Sequence, residues 1–139
     1  MHIESDSASR DDRSRVTVYV GKVQIDQGSM HVTADKVTVH MANGNKVDRI
    51  VAEGQPATYR QLPETDGKPV VAHATEIEYN VAKELLVLKR AAEIEQNGSS
   101  LTGELITYDI AKDLMQARGG EGDGRVRMVI PPEPQPTDN

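Results

Sequence analysis

The chain has 139 residues, a net charge of −6, no cysteine, no phenylalanine, no tryptophan and four tyrosines. Zero cysteines exclude disulfides and thiolate metal sites, and the acidic balance without any long Lys/Arg run excludes a basic stripe for nucleic acid. No apolar stretch approaches the roughly 20 residues of a membrane-spanning helix, so the core has to come from Val, Ile, Leu, Ala and Met, whose β-branched share favours strands.

In chain order, MHIESD lacks both the charged and the apolar region of a secretion signal. An exported protein with this sequence is therefore expected to have lost its leader, with Met1 as an added start. HIESD reads as an edge strand, and SRDDRSR as a solvated turn in which Asp11-Asp12 carries no catalytic pair. Val16 to Val20 then alternates. A motif with period two follows, Val23-x-Ile25-x-Gln27, and it returns as Ala57-x-Tyr59-x-Gln61 and Ala92-x-Ile94-x-Gln96. Ser5-Asp6, Ala34-Asp35, Ala74-Thr75 and Gly103-Glu104 are equivalent corners, so the chain is a duplicated pair of units of about 30 residues. The second unit is longest. Its extra residues fall in MANGNK (41–46) and LPETDGKP (62–69), both rich in turn formers, so they read as loops.

YNVAKELLVLKR (79–90) has helix formers at its centre. It recurs as YDIAKDLMQARG (108–119), and the equivalent stretch of the first unit ends in an alternating β-branched run. The expectation is a strand over 74–79, a tight turn at VAKE and a second strand over 85–89. Asn43-Gly44, Asp66-Gly67, Asn97-Gly98 and Asp123-Gly124 add hairpin turn signals. PPEPQPTDN (131–139) reads as a disordered Pro-rich tail after a single domain over 1–130.

Strands of about five residues in such units cannot each bury a face alone. The predicted fold is all-β, an open twisted jellyroll or quasi-solenoid of stacked short antiparallel strands. Parity then assigns an inner face: Ile3, Tyr19, Val23, Ile25, Met30, Val32, Val37, Val39, Ile50, Ala52, Ala57, Tyr59, Ile77, Tyr79, Leu86, Leu88, Ala92, Ile94, Leu101, Ile106, Tyr108, Met115 and Ala117. Their alternates include Lys36, Arg49, Glu53, Glu76, Glu78, Lys89, Glu93, Glu95, Gln116 and Arg118, so the interior is expected to be almost uncharged. Parity flips at each corner, where Ser5, Ala34, Ala74 and Gly103 are small.

Nothing in the sequence supports catalysis: G-x-S-x-G, a phosphate-cradling glycine loop and H-E-x-x-H are all missing. His2, His31, His40 and His73 fall at unrelated repeat positions and read as exposed strand histidines, with no metal or other cofactor implied.

HIESDS, GKVQIDQGSMHVTADKV (21–37), EGQPATYRQ (53–61), DGKPVVAHA (66–74) and GELITYDIAKDLMQA (103–117) together resemble the OstA-like family of periplasmic lipopolysaccharide-transport proteins. The likeness runs over nearly the whole chain before the tail. It implies an open jellyroll in the periplasm whose apolar interior holds lipid A acyl chains. It also implies head-to-tail self-association between a membrane-anchored OstA-like subunit of the inner-membrane exporter and the periplasmic domain of the outer-membrane translocon. One departure stands out: Lys89-Arg90 occupies a place where the family commonly has glycine, as Gly21, Gly54 and Gly119 do here, which leaves that bend in question and sets two cations near a presumed rim.

On this reading the parity set, from Ile3 to Met115, lines the lipid site. Two edges of opposite charge form the oligomer interface: His2, Ile3, Glu4 and Asp6 at one end, Arg125, Arg127, Met128 and Ile130 at the other. Without a basic cluster the lipid phosphates are expected to stay in solvent. Without a nucleotide motif, directional flow has to be driven by another protein. The alternative is a β-solenoid that binds glycans or surfaces, which would need exposed aromatics.

Overall fold

The computed structural model describes every residue except 45, 63–68, 97, 121–123 and 131–139. The expected tail, the Asp66-Gly67 turn, and the first residues of the Asn97-Gly98 and Asp123-Gly124 pairs lie outside the described residues. Ten strands follow one another among the described residues: β1 (His2–Glu4), β2 (Ser7–Asp11), β3 (Val16–Gln27), β4 (Met30–Ala42), β5 (Lys46–Gln61), β6 (Val70–Asn80), β7 (Leu85–Gln96), β8 (Ser99–Asp109), β9 (Leu114–Arg118) and β10 (Arg127–Val129). They form a single antiparallel sheet in the order β1-β3-β4-β5-β6-β7-β8-β10, with β2 beside β3 and β9 beside β8.

The strands are longer than the period-two motifs suggest. β5 alone has 16 residues. Each of β3 to β8 joins two of the short expected strands through an interruption of register: between Val20 and Val23, Thr33 and Lys36, Glu53 and Ala57, His73 and Glu76, and Lys89 and Ala92. Lined up across the sheet, these slips make a spine along which the sheet folds into two wings. One wing ends in β2 and β9, the other in β1 and β10. The ring of Tyr59, from the second wing, meets that of Tyr79, from the first, edge to face at 6.4 Å, so both wings close on one core.

The backbone at the spine explains the anomalous Lys89-Arg90. Gly21 and Lys22 have φ of 89° and 47°; at the equivalent places of the later unit Arg90 and Ala91 have 67° and 50°. The left-handed bend is kept without glycine. Gly21 is constrained further because a Cβ there would lie 2.5 Å from Asp6 Oδ2, in the bend between β1 and β2. Lys89 and Arg90 therefore sit at the spine, not at a rim. Lys89 Nζ lies 3.3 Å from Glu76 Oε2, and an Arg90 terminal nitrogen lies 3.6 Å from Glu76 Oε1.

The turns on the rim of the first wing are also repeats of one design. Asp11, Asn80 and Asp109 accept backbone N–H bonds from Arg13, Lys83 and Lys112 at 2.9, 3.1 and 3.1 Å. Each turn then ends in a left-handed residue: Arg15, Glu84 and Asp113, with φ of 57°, 49° and 51°. VAKE is thus a turn, as the repeat predicts. Its helix formers are overridden because the chain must reverse after Asn80 and pair again from Leu85.

Ala91 is exposed, so packing contributes little to its substitution. A91V puts a β-branched side chain in the left-handed region and should lose about 1–3 kcal/mol in urea unfolding, whereas A91G should lose none.

Candidate functional site: an apolar interior open along one rim

Register places the inner side chains in rows that run from one end of the sheet to the other. In the second wing the row is Ile3, Ile25, Val32, Tyr59, Ala72, Ile94, Leu101 and Met128. In the first wing one row is Tyr19, Val37, Ala52, Ile77, Leu88, Ile106 and Ala117, and another contains Val39, Ile50, Tyr79, Leu86, Tyr108 and Met115. Of the residues the parity argument assigns to the interior, Val23, Ile25, Met30, Val32, Val37, Val39, Ile50, Tyr59, Ile77, Leu86, Leu88, Ile94, Leu101, Ile106 and Tyr108 are buried. Ile3, Tyr19, Tyr79 and Met115 are partly buried and pack against that core. Among the described residues no polar or charged side chain other than the tyrosines is buried.

The structure adds Val70, Ala72 and Ala74, which are fully buried. Val70-x-Ala72-x-Ala74 has the same period two, but it follows the 62–69 loop so closely that the sequence reading starts the strand only at Ala74. Ala72 faces Tyr59 in the register, and the small residue leaves room for the ring.

Opposite the spine the two rims do not pair, and between them lies a cavity of about 860 Å³. Met30, Leu62, Val47, Ile50, Tyr79 and Val81 supply its apolar lining. Val47, Leu62 and Val81 are absent from the sequence assignment because alternation breaks down around them: Val81 lies in a turn, Leu62 just past the end of β5, and Val47 beside the register slip at the start of β5. The cavity connects the outside to the core: Met30 and Ile50 belong to both.

The outer face is charged and paired across strands. Arg49 donates to Glu78 Oε1 at 3.0 Å, and Lys89 lies 3.8 Å from Glu78 Oε2. The four histidines have separate neighbours: Glu4, Asp26, Arg49 and Thr58 contact His2, His31, His40 and His73. At the edges, His2, Glu4 and Asp6 are exposed, as are Arg125 and Arg127. Met128 and Ile130 are 60% and 70% exposed. Met128 continues an inner row, so the apolar interior runs out to the last strand.

Tyrosines mark the boundary between core and rim. Burial, with smaller contributions from Tyr79 and Tyr108, pushes the Tyr59 phenol well above its usual range. Burial and then the Glu84 carboxylate raise Tyr79. Tyr108 donates to Asp113 Oδ1 at 3.2 Å. Each phenol thus keeps its ring in the core and its hydroxyl towards the rim.

A two-winged sheet around an uncharged, apolar interior is an architecture that can hold the apolar part of a ligand. The chain belongs to the LptA/(LptD N-terminal domain) family of lipopolysaccharide-transport proteins, whose family model matches residues 2–114. It is 34% identical over 140 residues to the lipopolysaccharide export system protein LptA of Escherichia coli K12, covering 100% of this chain and 75% of that protein. It is 32% identical over 139 residues to the lipopolysaccharide export system protein LptH of Pseudomonas aeruginosa, covering 96% of this chain and 79% of the relative. The crystal structure of that LptH, described as the LptA-homologous periplasmic component of a lipopolysaccharide transport device, superimposes with a TM-score of 0.86 at 32% identity over 94% of each chain. The fold is therefore the OstA-like jellyroll, and the function is transport rather than catalysis.

Because folding holds the Tyr59 and Tyr79 phenols protonated, their contribution to stability is intact below the unfolded tyrosine value of about 10 and is lost as pH rises above it. Urea titrations between neutral and strongly alkaline pH should show a steeper loss for the wild type than for a Tyr59→Phe, Tyr79→Phe variant.

Proposed function

We propose that the protein holds lipopolysaccharide by its lipid A acyl chains between the two wings and passes it across the periplasm. Its neighbours are the inner-membrane-anchored OstA-like subunit of the exporter and the periplasmic domain of the outer-membrane translocon, with further copies of itself between them. The observation that carries this is the uncharged interior, continuous from Ile3 to Met128 and reached through the rim cavity. Each methylene removed from water contributes roughly 0.8 kcal/mol, so several chains are held firmly. Transfer between two like interiors costs little, because the chains leave one apolar lining for another. Such a conduit is passive, and its direction is imposed by a partner.

The lining is Ile3, Tyr19, Val23, Ile25, Met30, Val32, Val37, Val39, Ile50, Tyr59, Ile77, Tyr79, Leu86, Leu88, Ile94, Leu101, Ile106, Tyr108 and Met115. Val70 and Ala72 join it on their burial. Much of this set packs into one core, so acyl chains enter by parting the rims and displacing wing-to-wing contacts. A photo-crosslinker at Ile3, Tyr59, Tyr79 or Leu88 should capture lipopolysaccharide; equal capture from Glu78 or Arg118, on the outer face, would exclude the assignment.

Assembly uses the end strands. Among the described residues β1 with Asp6, and β10 with Arg125 and Ile130, leave unpaired backbone edges of opposite charge, so joining one end to the other is heterologous and does not close. Exposed ion pairs contribute less than about 1 kcal/mol each. Strand pairing therefore supplies most of the affinity, while the charges set orientation. Deleting residues 125–139 should leave a folded monomer that still binds lipid, and light scattering over a concentration series should show its growth abolished.

A further inference from the structure

Beside the apolar cavity, and sharing Ala42 with it, lies a smaller cavity of about 230 Å³ lined by Arg10, Asp11, Asp12, Arg15, Thr17 and Gly44, among others. We propose that this cavity seats a phosphate ester of the lipid whose acyl chains enter next to it. The inference rests on the lipid reading above and adds the residues that recognise the polar head.

The repeat makes the case. Arg10 occupies the place held by Tyr79 and Tyr108, on the row that faces inward: it is registered with Thr17, and Thr17 with Val39. Arg15 occupies the place held by Glu84 and Asp113, at the end of the rim turn. In the two later units this pair is a phenol and a carboxylate, joined in one case by the bond from Tyr108 to Asp113. In the first unit both members are arginines. A charge reversal at one position and a neutral-to-cation change at the other, on an unchanged turn backbone, set this corner of the rim apart from its two repeat partners and are hard to explain by folding alone.

The cavity also carries Asp11 and Asp12, which satisfy its two cations only in part. Asp11 Oδ1 accepts the backbone N–H groups of Arg13 and Ser14 at 2.9 and 3.4 Å and is turned into the loop. Asp12 Oδ1 takes the Arg10 Nε at 2.7 Å, so the two terminal nitrogens of Arg10 make no hydrogen bond among the described residues. Arg15 donates to the neutral Asn43 amide oxygen, its carbonyl receives the Met41 N–H at 2.9 Å, and no described carboxylate forms an ion pair with it. The guanidinium fork suits a phosphate oxygen pair. On the other side of the β4–β5 connection Lys46 lines the apolar cavity, so a cation flanks each side of Ala42. An amphiphile with its chains in the larger cavity can place an anionic group in the smaller one without burying that charge.

The test compares binding of bis-phosphorylated lipid A with that of its dephosphorylated counterpart, using the full chain and its Arg10→Gln, Arg15→Gln and double variants at low and high salt. Thermal unfolding of each variant is followed to establish folding. The wild type should prefer the phosphorylated lipid by about tenfold, less at high salt, and the double variant should lose that preference while keeping its affinity for the dephosphorylated lipid. Arg15→Lys should retain part of it. Equal wild-type affinity for both lipids overturns the phosphate site and leaves the lipid reading standing; binding of neither overturns both. If the double variant impairs self-association in light scattering and leaves the lipid preference intact, the arginines belong to a contact between copies. Inorganic phosphate that binds through Arg15 while lipid affinity ignores phosphorylation would place a free anion there and equally overturn the proposal.

Discussion

A strand that crosses from one wing to the other has to present its apolar side chains to the same core before and after the fold, and strict alternation cannot do that. The register slip at the spine re-phases each strand, so that Val32 and Val37, or Ile77 and Ala74, both point inward although their spacing is odd. Everything else follows from this device. The rows are continuous because the slips line up across neighbouring strands. The rims face each other because the fold lies near the middle of each strand. Where the slip needs a left-handed backbone the chain supplies it even with Arg90 and Ala91, which shows that the position of the bend is dictated by its neighbours rather than by its own residues.

Charge is partitioned by the same geometry. Every residue on the inner parity is apolar, aromatic or small over the buried length, and the acids and bases that alternate with them meet across strands on the outside, as Arg49 with Glu78 and Lys89 with Glu76 do. These pairs are only part-buried and still screened by solvent, so each contributes modestly. Their larger effect is on register, since slipping a strand by one residue would bring Glu76 and Lys89 into the core and Ile77 and Leu88 out to water.

Much of this is legible in the sequence, because period-two alternation and the duplicated unit both survive in one chain. The all-β class, the turn at VAKE and the inner parity from Val23 to Tyr108 come from those two signals. What is missed has physical reasons. Strand lengths are underestimated because a bulge breaks alternation as a loop does, so β5 and β6 read as fragments. Val70 and Ala72 disappear behind a long connection, and Val47, Leu62 and Val81 face the cavity from a slipped strand start, a strand end and a turn, where parity is lost. The two arginines at positions 10 and 15 look like members of a solvated charged loop until their repeat partners are superimposed on them. The spine location of Lys89-Arg90 depends on which residues the slip skips, which spacing alone does not reveal.

The backbone of each strand lies near only its sheet neighbours, and from β3 to β8 every neighbour is the next strand in sequence. Such wiring confines most strand pairing to consecutive hairpins, so each pairing step closes a loop of no more than about two strand lengths. A chain threaded into a compartment from its N-terminus could pair β3 with β4 before β8 had arrived, adding one hairpin at a time to a growing template. If copies join as proposed, folding and assembly are the same elementary act, the addition of a strand to an open edge, performed first within one chain and afterwards between chains.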